Sequence, residues 1–203
     1  MFKEKSESNE SQKKQSFVSE AFEYLEVFIF AACAVLIVFL TAFRLCTVDG
    51  DSMNKTFSSG ESLVISDIAY KPQMGDVIVF HETGEFYNQA LVKRVIATEG
   101  QWISIVYNQD NTMSVYVSED ENITEDDLLD EPYAYLLGGL QSNYTRLPST
   151  PVRVPAGQVF VMGDNRYNSS DSRSERIGFV DERQILGKVL LRVAPLSKFG
   201  AVN

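Results

Sequence analysis

Histidine and cysteine are scarce in this chain, which has one histidine, His81, and two cysteines, Cys33 and Cys46. Metal sites of the zinc type use several such ligands at short spacings, and the sequence has no C-x-x-C pair. His81 has no second histidine as a partner, so we interpret it as an ordinary surface or loop residue. The sequence therefore predicts no metal site and no other cofactor.

Positive charge is also in short supply, because 18 Lys and Arg residues stand against 28 Asp and Glu residues, for a formal net charge of −10. A protein that binds DNA or RNA needs a basic face, so a nucleic-acid partner is excluded. The 203 residues are 44% hydrophobic, which is enough to bury a core. This length suits one domain with a small satellite.

Charged residues are missing from one long run, VFIFAACAVLIVFLTAF at 27–43. Its length is near the lower limit for a helix that crosses a bilayer, and its neighbours on both sides can extend it. We predict a transmembrane helix at 25–45 that binds the lipid bilayer, after a polar tail at 1–24 that cannot bury enough surface to fold alone. A buried core helix and a cleaved signal peptide are the alternatives. The long leader, with more acids than bases, argues against the signal peptide.

The pattern then changes to short runs rich in Val, Ile, Leu and aromatic residues, separated by Gly, Pro, Asn and Asp. Short loops without β-α-β alternation predict antiparallel sheets. The predicted fold class is mainly β: an antiparallel-sheet domain with a β-rich insert, preceded by one transmembrane helix. The predicted parts are a β core at 46–104 and 155–196, an acidic insert subdomain on its outer side at 105–154, and a C-terminal tail at 197–203.

The insert has two recognisable pieces. Residues 102–117 alternate around a polar centre and predict a hairpin. The acidic stretch 118–133 lacks the D-x-D-x-D-G spacing of a calcium loop, so we interpret it as a solvated loop.

The stretch DGDSMNKTF at 49–57 contains Ser52 and Lys55 in S-x-x-K spacing. This spacing gives a serine a lysine base when both residues lie on one face of a helix. Here glycines and turn-forming residues surround the motif, and the partner motifs S-D-N and K-T-G do not occur. Lys55 is therefore the weaker candidate, and an S-x-x-K serine hydrolase is kept as an alternative.

Lys93 lies in the apolar, strand-like run LVKRVI at 91–96. Burial in such a run lowers the pKa of an ammonium group, and a lysine must lose its proton before it can act as a base. Because the chain has no usable histidine or thiol, Ser52 and Lys93 are the nucleophile and base that it can offer. From the strand alone, a lysine that reaches from an edge strand to the surface is the competing interpretation.

Four segments resemble, in order and content, the type I signal peptidases, the bacterial leader peptidase family with a Ser–Lys dyad. The segments are GDSMNKTF at 50–57, GDVIVF at 75–80, LVKRVIATEGQ at 91–101 and GQVFVMGDNRYNSSDSR at 157–173. The last segment is the most specific, since chance would rarely supply so long a match. The resemblance covers the anchor and the β core but neither the polar tail nor the insert.

The resemblance implies a role for each matching residue. Ser52 matches the nucleophile, with its backbone N–H as one oxyanion donor, Lys93 matches the general base, and Ser169 matches the serine that orients the lysine amine. The residues implied to hold the active-site loops are Asp164, Asn165, Asp171 and Arg173, with an ion pair between the last two. The residues implied to bind substrate in apolar pockets are Val48, Met53, Phe57, Leu91 and Val92.

Three positions depart from the family pattern. Gly50 stands where some relatives have a hydroxyl that serves as the second oxyanion donor, so that donor is not identified. Lys55 and Phe57 stand where the family usually has Pro and Leu. We expect a proline at position 55 to stiffen the turn. The S-x-x-K spacing then arises by accident, because Lys55 stands where the family usually has proline.

The resemblance implies a membrane-anchored serine endopeptidase that forms an acyl-enzyme and removes amino-terminal signal peptides from exported preproteins after small residues of the Ala-x-Ala type. Its implied partners are preprotein signal peptides, with the secretion translocon as a further candidate. The alternative from another class is a membrane-anchored, β-rich binding module without catalysis.

Orientation follows from the same resemblance. Lys13 and Lys14 before the apolar run balance Arg44 and Lys55 after it, so charge alone does not set the orientation. The family plan places a single-pass anchor in the plasma membrane, the tail 1–24 in the cytoplasm and the catalytic domain on the extracytoplasmic side.

Overall fold

The computed structural model describes residues 2–82, 88–108, 110, 112–135 and 150–202, with side chains from residue 20 onward. The chain divides into two units, Met1–Ala42 and Phe43–Asn203. Residues 109, 111 and 136–149 of the predicted insert lie outside the described residues, as does the last residue of the predicted C-terminal tail.

The first unit is one helix, α1 (Phe2–Ala42). Its segment Glu20–Ala42 is long and apolar enough to cross a membrane. Large side chains along it are exposed, with Phe28 at 69% and Leu40 at 71%, and a helix that is apolar all round suits a lipid environment. The polar tail continues the same helix, since helical hydrogen bonds are local and need no buried core.

The helix ends at Ala42 and not at the predicted residue 45, because Arg44–Thr47 pairs with another strand. The described part of the second unit contains eleven strands. They are β1 (Arg44–Thr47), β2 (Ser62–Ser66), β3 (Val77–Glu82), β4 (Gln89–Ala97), β5 (Trp102–Tyr107), β6 (Met113–Ser118), β7 (Val152–Arg153), β8 (Gln158–Met162), β9 (Val180–Asp181), β10 (Ile185–Ala194) and β11 (Gly200–Ala201).

The larger sheet has the strand order β1-β2-β10-β3-β4-β8-β9, with β11 paired to β10, and the smaller sheet has the order β6-β5-β7. Neighbouring strands are antiparallel in both described sheets. The predicted fold class, mainly β with antiparallel sheets after one apolar helix, is confirmed.

The predicted hairpin is present at the expected residues as β5 and β6, but its packing partner differs from the prediction. Ile103, Ile105 and Val115 of the hairpin are buried in one apolar cluster with Phe160 and Met162 of β8. The second sheet therefore starts at Trp102 and shares a core with the larger sheet, whereas we expected an insert on the outer side from residue 105. Burying the inner faces of the two sheets in one common core accounts for the different placement of the hairpin.

The larger sheet brings the chemically interesting segments together. Strand β4 carries Lys93 next to β8, and the chain from 163 to 174 follows β8 directly. The turn at 50–57 follows β1 and returns through β2. These three segments form the candidate site.

Candidate active site

Ser52 lies in a tight turn after β1. The N–H of Asn54 donates to the Asp51 carbonyl over 3.0 Å, and the N–H of Phe57 donates to the Met53 carbonyl over 2.8 Å. Met53 and Phe57 are each 1% exposed, so their side chains fix the turn in the core. Gly50 has a φ of +93°, which suits glycine and would strain a serine in its place.

Lys93 reaches Ser52 from β4. Its Nζ lies 2.8 Å from Ser52 Oγ and 3.0 Å from the Val92 carbonyl oxygen. The residue is only 2% exposed, and burial lowers the pKa of Lys93 to about 8, although the carboxylates of Asp171 and Asp164 act in the opposite direction. The lysine does not reach the surface, and at pH 7 roughly a tenth of it is uncharged, far more than for an ordinary lysine.

Lys55 occupies a different environment. It is exposed, and its Nζ lies 5.5 Å from the centre of the Tyr135 ring. Its φ of +76° lies in the left-handed region, which proline cannot adopt. The expectation that proline would stiffen this turn is therefore wrong, and Lys55→Pro would disrupt it.

Asp164 joins the turn that contains Ser52 to β4. Its carboxylate accepts two hydrogen bonds from Arg94, over 2.9 and 2.8 Å, and a third from the Thr56 hydroxyl. Arg94 and Asp164 are 1% and 0% exposed, so both charges are paired in the interior. Asp164 was predicted from the sequence, whereas Arg94 and Thr56 were not. A second cation beside Lys93 in an apolar strand was the available signal for Arg94.

Asp171 and Arg173 form the expected ion pair, with two hydrogen bonds of 2.8 Å between fully buried side chains. Burial alone raises the pKa of Asp171, but the Arg173 guanidinium, the Gly163 N–H and the Ser169 hydroxyl outweigh it and hold this pKa below its ordinary value. Asp171 is thus a fixed anion near Lys93. The Gly163 N–H donates to the Asp171 carboxylate over 2.9 Å, which ties β8 to this pair.

Gly163 and Asn165 hold the backbone of Ser52. The N–H of Asn165 donates to the Ser52 carbonyl over 3.0 Å, and its side-chain amide donates to the Asp51 carbonyl over 3.1 Å. A methyl group on Gly163 would overlap the Ser52 carbonyl oxygen and the Ser169 hydroxyl. Asn165 was predicted from the sequence, whereas Gly163 was not, although its place in the GDN triplet was an available signal.

Ser169 is buried beside Gly163 and Asp171. Within the described part of the chain, the hydrogen bonds of the Lys93 amine are with Ser52 and Val92. The orienting role of Ser169 therefore stays a prediction. In the structure, the Ser169 hydroxyl donates to the Asp171 carboxylate and helps to lower its pKa.

The five predicted substrate-binding residues lie in two places. One apolar cluster beside the turn at 50–57 contains four of them, Val48, Met53, Phe57 and Val92. Leu91 packs against a different cluster, which includes Ile78 and Val95. Successive side chains of a strand point to opposite faces, so Leu91 and Val92 cannot line the same wall.

The arrangement can perform nucleophilic catalysis. A hydroxyl within hydrogen-bond distance of an amine with a lowered pKa is the geometry of an activated nucleophile. Across the described ranges, no group of three or more His, Cys, Asp or Glu residues could hold a metal ion.

Comparison with known proteins gives consistent matches. The family model described as signal peptidase, peptidase S26, matches residues 21–194. A protein named probable signal peptidase I-1 from Synechocystis sp. is 38% identical over 165 residues, which cover 77% of this chain and 74% of that protein. Signal peptidase IB of Staphylococcus aureus is 34% identical over 186 residues, which cover 87% of this chain and 93% of that protein.

Among solved structures, a signal peptidase I from Enterococcus faecalis V583 is 29% identical in sequence, with a TM-score of 0.40. The match covers 59% of this chain and 97% of that one. The family assignment depends on the sequence matches, which span the anchor region and the β unit together. The chain belongs to the signal peptidase family, peptidase S26, as a serine protease of the type I signal peptidase class.

Proposed function

We propose that the chain removes signal peptides with Ser52 as nucleophile and Lys93 as general base, while α1 anchors it in the membrane. The single observation that carries the proposal is the 2.8 Å separation between Lys93 Nζ and Ser52 Oγ at a lysine that is 2% exposed. Burial supplies the neutral amine that the chemistry requires. The exposed Lys55 lacks this environment, which disfavours the S-x-x-K alternative.

In the proposed mechanism, the neutral amine of Lys93 takes the hydroxyl proton of Ser52 while Oγ bonds to the scissile carbonyl carbon. The negative charge develops on the carbonyl oxygen, towards which the Ser52 N–H can donate. When the tetrahedral intermediate collapses, the peptide C–N bond breaks and the Lys93 ammonium returns its proton to the departing amine. Water, deprotonated by the same lysine, then hydrolyses the ester and frees the signal peptide.

The sheet offers an edge for an extended substrate. Residues 89–92 of β4 pair with β3, whereas the described pairing of β4 with β8 begins only at Arg94. The other side of this half-strand can therefore accept the backbone of a peptide by strand addition, immediately before Lys93.

Specificity for a small residue before the cut follows from the packing beside the nucleophile. Val48, Met53 and Phe57 are each no more than 4% exposed, so little room is left for a substrate side chain. A preprotein with Ala at this position should be cleaved, whereas one with Phe should not, since overfilling a packed site costs about 1–3 kcal/mol. Cleavage assays with matched preproteins measure the ratio of kcat/KM. Equal rates for Ala and Phe would show that these residues do not select the substrate.

The proposed orientation places the β unit outside the plasma membrane and the amino terminus in the cytoplasm. The secretion translocon of the same membrane stays a predicted partner. Protease added to intact spheroplasts should degrade the β unit and spare an epitope tag at the amino terminus. Lysed spheroplasts are the control, in which the tag should also be lost. A degraded tag with a protected β unit would reverse the orientation.

The experiment that tests the proposal is cleavage of a model preprotein in detergent by the wild type and by Ser52→Ala. We expect Ser52→Ala to lose cleavage by a factor of about 10⁴ or more, because the covalent route is closed. The matched control is Ser58→Ala, which removes an exposed hydroxyl directly after the turn that contains Ser52. Cleavage by Ser52→Ala at the wild-type rate would refute the proposed nucleophile.

A further inference from the structure

The segment from Glu131 to Tyr135 ends the acidic stretch and lies in the region that the family resemblance leaves without a role. We propose that Glu131 and Tyr133 are positioning residues for the reaction, because they hold the 163–166 loop against Ser52. The inference rests on the proposed role of Ser52. It assigns this part of the insert to the active site, although the sequence pattern alone suggested a solvated loop.

Glu131 neutralises a buried arginine of that loop. Arg166 Nη1 donates to Glu131 Oε2 over 2.7 Å, and Nη2 donates to Oε1 of the same carboxylate. The side chains of Arg166 and Glu131 are 0% and 7% exposed. Arg166 Nε also donates to the Gly163 carbonyl over 3.0 Å, so the orientation of the guanidinium fixes the first residue of the loop.

Tyr133 packs between two arginines that serve the site. The Arg94 guanidinium lies 3.9 Å from the centre of its ring, and that of Arg166 lies at 6.0 Å. The tyrosine hydroxyl is 3.3 Å from a Glu131 oxygen. Since Arg94 holds Asp164, the ring supports the same loop from a second direction.

The backbone adds a third connection. The N–H of Tyr135 donates to the Asp164 carbonyl over 2.7 Å, and the N–H of Arg166 donates to the Tyr135 carbonyl over 3.2 Å. Tyr135 and Asn165 form a parallel bridge. The segment thus pairs with the loop at an isolated β-bridge, and the side chains of Glu131 and Tyr133 hold it there.

The loop transmits this support to the nucleophile. Gly163 lies against the Ser52 carbonyl, and Asn165 donates to it. A displacement of the loop therefore moves Ser52 relative to Lys93, and a misplacement of about 1 Å can cost on the order of a hundredfold in rate. Substrate binding, which uses other residues, should change little.

The test compares Glu131→Gln with Glu121→Gln in the full-length chain in detergent. Both remove one negative charge from the acidic stretch, but Glu121 is exposed. We expect Glu131→Gln to lower kcat for a model preprotein by about 10- to 100-fold, with KM within about twofold of wild type. Glu121→Gln should keep wild-type kinetics. A kcat within twofold of wild type, for a Glu131→Gln variant that is folded by circular dichroism, would overturn the inference.

A second pair decides the matter if Glu131→Gln does not fold. Tyr133→Phe keeps the ring over Arg94 and removes only the hydroxyl, whereas Tyr133→Leu removes the ring. We expect Tyr133→Phe to stay close to wild type and Tyr133→Leu to lose kcat with KM unchanged. Equal kcat for the two variants would overturn the positioning role. Cleavage by Ser52→Ala is measured alongside, and its persistence would refute the proposed function independently of these variants.

Discussion

Replacement of Lys93 by arginine is expected to abolish preprotein cleavage, with a loss of about 10⁴-fold or more. Arginine keeps the positive charge but does not deprotonate in proteins, so it cannot take the proton of Ser52 Oγ. Lys93→Ala should be equally inactive. Initial rates with a model preprotein measure the loss, and circular dichroism checks that the β unit stays folded.

Lys55→Ala is the matched control, because it removes the other lysine that the sequence offered. Its side chain is exposed and lies near Tyr135, so most activity should remain. An active Lys93→Arg enzyme together with an inactive Lys55→Ala enzyme would contradict the assignment and favour the S-x-x-K class.

The pH dependence of kcat/KM provides a second test of Lys93 as the general base. The protonated form is inactive and the neutral form active, so kcat/KM should rise with pH through about 8 and then level off. The value lies below that of an ordinary lysine because burial disfavours the charged amine. A profile that rises only near the pKa of a free lysine, about 10.4, would show that Lys93 is not buried as the structure has it.

Gly163→Ala is the second change with a large expected effect. The added methyl group would overlap the Ser52 carbonyl oxygen and the Ser169 hydroxyl. Either the turn at 50–57 or the 163–166 loop must therefore move. We expect kcat to fall by about a hundredfold or more, from misplacement of Ser52. A stability loss of about 1–3 kcal/mol from overpacking should accompany it in denaturant unfolding.

Gly200→Ala provides the control for this substitution. A methyl group on Gly200 meets no atom of the described chain within 4 Å, and its φ is outside the left-handed region. Its activity and stability should match the wild type. A Gly163→Ala enzyme with activity within threefold of wild type would show that the close approach of Gly163 to Ser52 is not needed.

The sequence predicted Ser52 and Lys93 through the resemblance of four segments to the type I signal peptidases. The apolar strand alone left a lysine that reaches the surface as a competing interpretation, and the structure brings Ser52 and Lys93 together. The pair between Asp171 and Arg173 could be predicted because two residues in one tight loop meet regardless of the rest of the fold.

The missed features depend on contacts between distant segments. Arg94 pairs with Asp164 across 70 positions of sequence, and no local pattern announces such a partner. Glu131 looked like one more solvated acid, because composition cannot show that a buried arginine faces it. The hairpin of β5 and β6 could be predicted, but its shared core with β8 could not. The alternation of apolar and polar residues shows which face of a strand is buried, but not which element packs against that face.

The three fully buried arginines of the described chain, Arg94, Arg166 and Arg173, are each paired with a carboxylate, and this arrangement limits how the sequence can evolve. Loss of either partner alone leaves an unpaired interior charge, at a cost of about 3–5 kcal/mol. We therefore expect selection to remove changes of a single partner and to tolerate joint replacement of both partners. Positions 131 and 166 should accordingly covary among relatives, with a neutral residue at one accompanied by the loss of charge at the other.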